Sequence, residues 1–292
     1  MKRAVYRFAE AVSRRWGAWF FSALARIIAT GYFLFSPARV RISVHFYQAL
    51  FPEKSFLYHL WCSWRQFHRF TRIFTDRFQF LDSGRKDYIS SGWHHLDEAI
   101  RRKEGGIILM SHLGNWEVAA HLLKKRSNQL KLLLYLGAKH KEQIEKMQKE
   151  SLARSGTKII AVDQQGGGSP FLLIEAIKWM NEGGLVSMTG DIVWTKEQKT
   201  ITVDVLNRKA DLPESPFMLA LLSGKPIFVM FSVPDNKNRL SITVSEPIYV
   251  VAENRQERRQ AVQATAQQYA DMLMETVRRH PFEWFHFDRF LK

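Results

Sequence analysis

Past residue 85, short apolar runs alternate with longer amphipathic stretches, and glycines mark several of the boundaries. The runs Ile107–Met110, Leu130–Leu136, Lys158–Val162, Leu185–Thr189, Thr200–Val205, Ile227–Val233 and Leu240–Val244 read as strands. Between them, Gly92–Lys103, Val118–Lys125, Lys141–Arg154, 171–181, Pro216–Leu222 and Arg255–Arg279 read as helices. Ser169-Pro170 offers an N-cap and a first-turn proline for the helix 171–181. A chain that alternates in this way is held to an α/β fold: a mixed, largely parallel central sheet flanked by helices.

At 292 residues and 46% hydrophobic, the chain is long enough to build a full core for such a sheet. One cysteine, Cys62, excludes a disulfide framework and reads as a small buried hydrophobe. A net charge of +15 attracts polyanions, whether anionic lipid or an acidic protein. No zinc-finger spacing or RNP-type aromatic strand is present, so no nucleic-acid partner is expected. His94-His95 and His121 lack metal-ligand spacing, so no metal is expected.

The N-terminus is different in kind. Lys2, Arg3, Arg7, Arg14 and Arg15 precede an apolar stretch over 16–35, which Arg26 interrupts. The stretch is close to the length that crosses a bilayer. Two membrane readings stand, a single-pass helix with its basic end inside or a monotopic helix in the interface anchored by Trp16, Trp19, Phe20 and Phe21, beside the alternative of a soluble core helix. The division expected is 1–41, a basic N-terminus with a membrane-associated helix; 42–84, a helical segment rich in aromatic and basic residues and broken at Pro52; and 85–292, the α/β domain.

The chemistry gathers where Ile107–Met110 runs into Ser111-His112-Leu113-Gly114-Asn115-Trp116-Glu117. Strand-to-helix junctions of this kind are where α/β folds collect their active sites. In an ideal helix, residues five apart are rotated by about 140°, so His112 and Glu117 meet only if the first of them lies outside the helix. Gly114 and Asn115 permit that turn. Glu117 would then fix the imidazole as His112 takes a proton, and amides at the helix start would receive an oxyanion. Spacing alone proves little. With 28 acids among 292 residues and ten histidines, about one such pair arises by accident, and His140–Glu145 has the same spacing in a polar run. The buried strand and the glycine turn single out His112.

The junction resembles the His-x4-acid motif of the lysophospholipid acyltransferase superfamily, and its Gly-Asn-Trp-Glu form resembles the lipid A biosynthesis acyltransferase branch. Other pieces follow in the branch's order: Arg41 with Phe51-Pro52-Glu53-Lys54-Ser55, Arg154-Ser155-Gly156, Thr189-Gly190-Asp191, and His280-Pro281 with Trp284 and Arg289-Phe290. The chain departs from the branch at Gly137, at Ile192 and at Leu206-Asn207. Its stretch Arg208–Phe217 looks more like a subgroup with members linked to aryl-polyene lipids.

The resemblance implies an O-acyltransferase that uses no cofactor. His112 is its general base with Glu117 as partner, and Gly114, Asn115, Arg154, Asp191 and Arg208 are candidate substrate contacts. The implied donor is acyl carrier protein, or else acyl-CoA. The implied acceptor is a lipid or glycolipid, a lipid A-like precursor foremost. The implied place is the cytoplasmic face of a bacterial inner membrane, against its anionic surface. A non-catalytic lipid-binding protein that keeps this fold is the rival reading.

Overall fold

The computed structural model of the chain describes residues 18–73, 76, 88–126, 130–138, 158–163, 170–195, 197–237 and 239–292; for 18–22, 136–138, 159–163 and 170–172 it describes the backbone alone. The expected helix 141–154, Arg154 and the His140–Glu145 pair lie outside these residues. So does Trp16, while the side chains of Trp19, Phe20 and Phe21 are likewise not described. The chain divides into two compact units, 1–86 with 280–289, and 87–279 with 290–292.

In the first unit, helices α1 (Ala18–Phe35), α2 (Pro37–Leu50) and α3 (Phe56–Phe70) follow one another closely. Proline opens α2, where its missing N–H costs nothing. Ser55 caps α3 by accepting the Tyr58 amide at 3.3 Å. Residues 280–289 return from the far end of the chain to this unit. Trp284 is 1% exposed, and its carbonyl accepts from Gln66 at 2.5 Å, while Gln66 accepts from Ser43 at 2.6 Å. The Tyr47 hydroxyl donates to the Pro281 carbonyl at 2.8 Å. These bonds satisfy polar groups that burial would otherwise penalise. The C-terminal residues His280-Pro281 and Trp284, picked out above by resemblance, thus belong to the helical unit, with Trp284 in its core. Cys62 is buried in it, as a small apolar residue would be.

No helix among the described residues is long and apolar enough to cross a membrane. The single-pass reading of 16–35 therefore has no support here. Helix α1 has 18 residues with Arg26 in its middle, and it exposes Ile27, Ile28, Leu34 and Phe35.

In the second unit, seven strands form one sheet, in the order β1 (Tyr88–Ser91), β9 (Leu240–Val244), β8 (Ile227–Pro234), β2 (Gly106–Met110), β5 (Leu185–Thr189), β3 (Leu132–Ala138) and β4 (Lys158–Asp163). Strands β8, β2, β5, β3 and β4 are mutually parallel. Strand β9 runs antiparallel to β8, and β1 is parallel to β9. The expected mixed, largely parallel sheet is present. Strand β2 lies inside the sheet and is buried at all five positions, which explains its unbroken apolar run. Around the sheet come α4 (Trp93–Arg102), α5 (Trp116–Arg126), α6 (Pro170–Asn181), α7 (Ser215–Ser223) and α8 (Arg258–Arg279).

Two strands escaped the sequence reading. Strand β1 is four exposed residues at the sheet edge, with no apolar alternation to betray it. Strand β7 (Arg208–Pro213) pairs antiparallel with β6 (Thr200–Val205) in a separate two-stranded sheet. Their turn is Leu206-Asn207, both at positive φ (52° and 59°), as a tight two-residue hairpin requires. A leucine gives no warning of such a turn. Helix α8 covers the edge of β6 with glutamines one turn apart. Gln267 exchanges two hydrogen bonds with the Asp204 backbone, at 2.8 and 2.9 Å, and Gln263 donates to the Thr202 carbonyl at 2.6 Å. Side-chain amides thus take the place of a neighbouring strand.

Candidate active site

Strands β2 and β5 are neighbours, and Met110 pairs with Thr189 at their carboxyl ends. The Gly190 amide donates to the Met110 carbonyl at 2.8 Å, carrying the ladder one step further. His112 and Asp191 each follow two residues after their strand, so the register delivers them to the same place. There Asp191 accepts twice from His112: Oδ2 takes the backbone N–H at 2.7 Å, and Oδ1 takes Nδ1–H at 2.9 Å. The Asp191 side chain is fully buried, whereas that of His112 is 20% exposed. A carboxylate only accepts, so it fixes the proton on Nδ1 and leaves the lone pair on Nε2. The Trp194 ring meets the imidazole edge-on, with centroids 5.9 Å apart.

Tyr269 of α8 forms the floor. Its hydroxyl donates to the Met110 carbonyl at 3.1 Å. Burial, and next the negative charge of Asp191, push that hydroxyl well above the usual phenol range, against a hydrogen bond from Ser111 that lowers it. Tyr269 therefore stays protonated and serves as a donor. Its ring explains Gly190: a Cβ there would lie 2.8 Å from Tyr269 Cζ and 2.9 Å from Leu109 Cδ1.

The turn after His112 is held just as closely. Gly114 adopts φ +74°, and a Cβ on it would run into the Ser232 carbonyl of β8. That carbonyl accepts the Asn115 amide at 2.9 Å, and the Ser232 hydroxyl donates to the Asn115 carbonyl at 3.1 Å. Asn115 Oδ1 accepts the Val118 amide at 3.3 Å and so caps α5. Of the candidate substrate contacts, Gly114 and Asn115 thus have clear structural duties. Gly114→Ala combines left-handed strain with a displaced Asn115 hydrogen bond, a cost of roughly 2–4 kcal/mol. Thermal unfolding should show a melting temperature lower by roughly 5 °C or more. An unchanged melt would mean that the turn is not held in this way.

Glu117 lies in the first turn of α5, as expected, and is fully buried. Its carboxylate comes within 4.0 Å of His121 Nε2, one helical turn on. At the Nδ1 of His112, however, the acid is Asp191. The sequence reading gave the tautomer-fixing bond to Glu117 because only local spacing was visible. The structure supplies it from a strand that lies next to β2 in space and 79 residues away in sequence. Thr189-Gly190-Asp191 carried the signal, since it ends an apolar strand just as Ser111-His112 does. Tyr269 carried none, being one aromatic in a long helix. Arg208 opens β7 in the two-stranded sheet and is exposed, while the adjacent Lys209 pairs with Asp204 at 2.6 Å.

A buried acid that orients a partly exposed histidine, at the carboxyl ends of two parallel strands, is an arrangement able to act as a general base. The chain belongs to the bacterial lipid A biosynthesis acyltransferase family, whose model matches residues 63–292. It is an acyltransferase of that type, and the non-catalytic reading gives way. No curated protein matches it.

Proposed function

We propose that the protein moves a fatty acyl group from the thioester of acyl carrier protein to a hydroxyl of a lipid or glycolipid, with a lipid A-like precursor as the favoured acceptor. The observation that carries this reading is the bidentate hold of Asp191 on His112. Nε2 takes the proton of the acceptor hydroxyl as its oxygen attacks the thioester carbonyl. Asp191 stabilises the imidazolium that forms. The tetrahedral oxyanion collapses and expels the thiolate, which recovers the proton from His112 and leaves as the thiol. No cofactor enters this sequence.

The amides of His112, Leu113 and Asn115 already donate within the protein, at 2.7, 3.3 and 2.9 Å. We therefore assign oxyanion binding on this turn to Gly114 and Trp116. Glu117 is proposed as a buried acid behind the turn that sets the local field. The place of action is the cytoplasmic face of the inner membrane, with α1 lying in the interface through its exposed apolar residues.

The test is to incubate the purified protein with radiolabelled acyl carrier protein and total membrane lipid, then to identify the labelled product. An ester-linked lipid or glycolipid is expected. Label recovered only as free fatty acid would refute transfer to a hydroxyl acceptor, and transfer from acyl-CoA alone would refute the donor.

A further inference from the structure

In the helical unit, a cavity of about 420 Å³ is lined by four arginines: Arg26 from α1, Arg65 and Arg69 from α3, and Arg72 just beyond α3. His68 and Thr71 complete its polar wall. Glu283 pairs with Arg69 at 3.4 Å and also feels Arg72, Arg65 and Asp76. Four guanidinium groups thus line one cavity, with Glu283 paired to Arg69.

The like charges act on one another. Burial, only partly offset by Glu283, together with the charges of Arg72 and Arg65, pushes Arg69 below the usual guanidinium range. Arg65 Nε is buried with no hydrogen-bond partner among the described residues. The plane of Arg65 is held over the Trp61 and Phe282 rings, at 5.7 and 5.6 Å, so its fork is oriented in advance. His68 adds no charge. Burial, and then Arg26 and Arg65, lower its pKa. Its Nε2 meets Thr30 Oγ1 at 3.1 Å, and that hydroxyl spends its own proton on the Arg26 carbonyl at 3.0 Å, so Nε2 is the donor.

The same helices carry an apolar surface. Of the sixteen large apolar side chains exposed among the described residues, ten lie on α1 and α3. Ile27 and Ile28 directly follow Arg26, and Trp61 and Trp64 precede Arg65 by one helical turn and by one residue. A ligand that suits both features has a compact anionic head and hydrocarbon tails. Planar guanidinium forks match phosphate oxygens in particular.

We propose that this cavity binds the phosphate group of an anionic phospholipid, whose chains lie along the exposed faces of α1 and α3. The site belongs to the helical unit, and His112 to the other. It would anchor the protein to one class of headgroup, beyond what diffuse positive charge achieves.

The test is flotation of the full-length protein with phosphatidylcholine vesicles doped with phosphatidic acid, or with oleate at matched surface charge. Inorganic phosphate is titrated by calorimetry in a parallel arm. The variants are Arg26→Gln/Arg72→Gln, and Arg65→Lys, which keeps charge but loses the fork. Circular dichroism checks folding. Tighter binding to phosphatidic acid than to oleate is expected, weakened about tenfold or more in both variants. Equal binding to the two doped vesicles, or native-like binding by the variants, would overturn the proposal. A phosphate-only response, with vesicle binding unmoved by the substitutions, would overturn the lipid assignment. So would loss of acyl carrier protein binding alone, since it would make the cavity a protein-docking site.

Discussion

His112→Ala should lower acyl transfer by about 10²- to 10⁴-fold while leaving a folded protein. The loss follows from Nε2 being the base in the proposed reaction. The fold survives because the His112 side chain is 20% exposed and stands at the end of a strand rather than inside the core. Its removal takes one hydrogen bond from Asp191, but the backbone N–H of residue 112 still donates to Oδ2. The cost to stability should be no more than about 1–3 kcal/mol. Initial rates with saturating acceptor, set beside a thermal melt, check both halves. Wild-type turnover in the variant would end the assignment of His112 as base.

Asp191→Asn should be almost as damaging, on the order of 10³-fold in kcat, with no change of shape. The amide oxygen of asparagine can still accept the His112 backbone N–H. Its NH2 group, however, would donate to Nδ1 where the carboxylate accepted. The imidazole proton would then move to Nε2, and the base would lose its lone pair. The acceptor KM should move little, because substrate contacts are not what changes. Glu117→Gln offers the comparison. If Glu117 rather than Asp191 fixed the tautomer, the two substitutions would exchange their effects.

How much of this was legible in the residues depends on where each signal lay. Strand β2 announced itself, because burial on both faces leaves only apolar residues to choose from. Gly114 announced the turn, since the tight approach to Ser232 excludes a side chain. His112 followed from those two. The partner at Nδ1 did not. Which strand lies beside β2 is a matter of sheet order, and β5 reaches that place only after β3 and β4 have been laid down further out. Strand β7 stayed hidden because Arg208 and Lys209 are exposed and only Ala210, Leu212 and Pro213 turn inward. The basic residues of α3 read as a mixture of core and surface. That they close around a cavity with Arg26 and Arg72 depends on how α1 and α3 pack.

In the proposed reaction, the pairing of Met110 with Thr189 makes activity a gauge of strand register. Side chains alternate along a strand, and one step is about 3.3 Å. A slip of β5 by one residue against β2 would therefore turn the carboxylate to the opposite face and remove it from the imidazole. A chain folded with that slip could keep much of its helix and sheet content and still be silent. On that mechanism, a length change inside β2 or β5 should abolish activity even where the chain still folds. The β6–β7 hairpin, in its own sheet, carries no such register constraint.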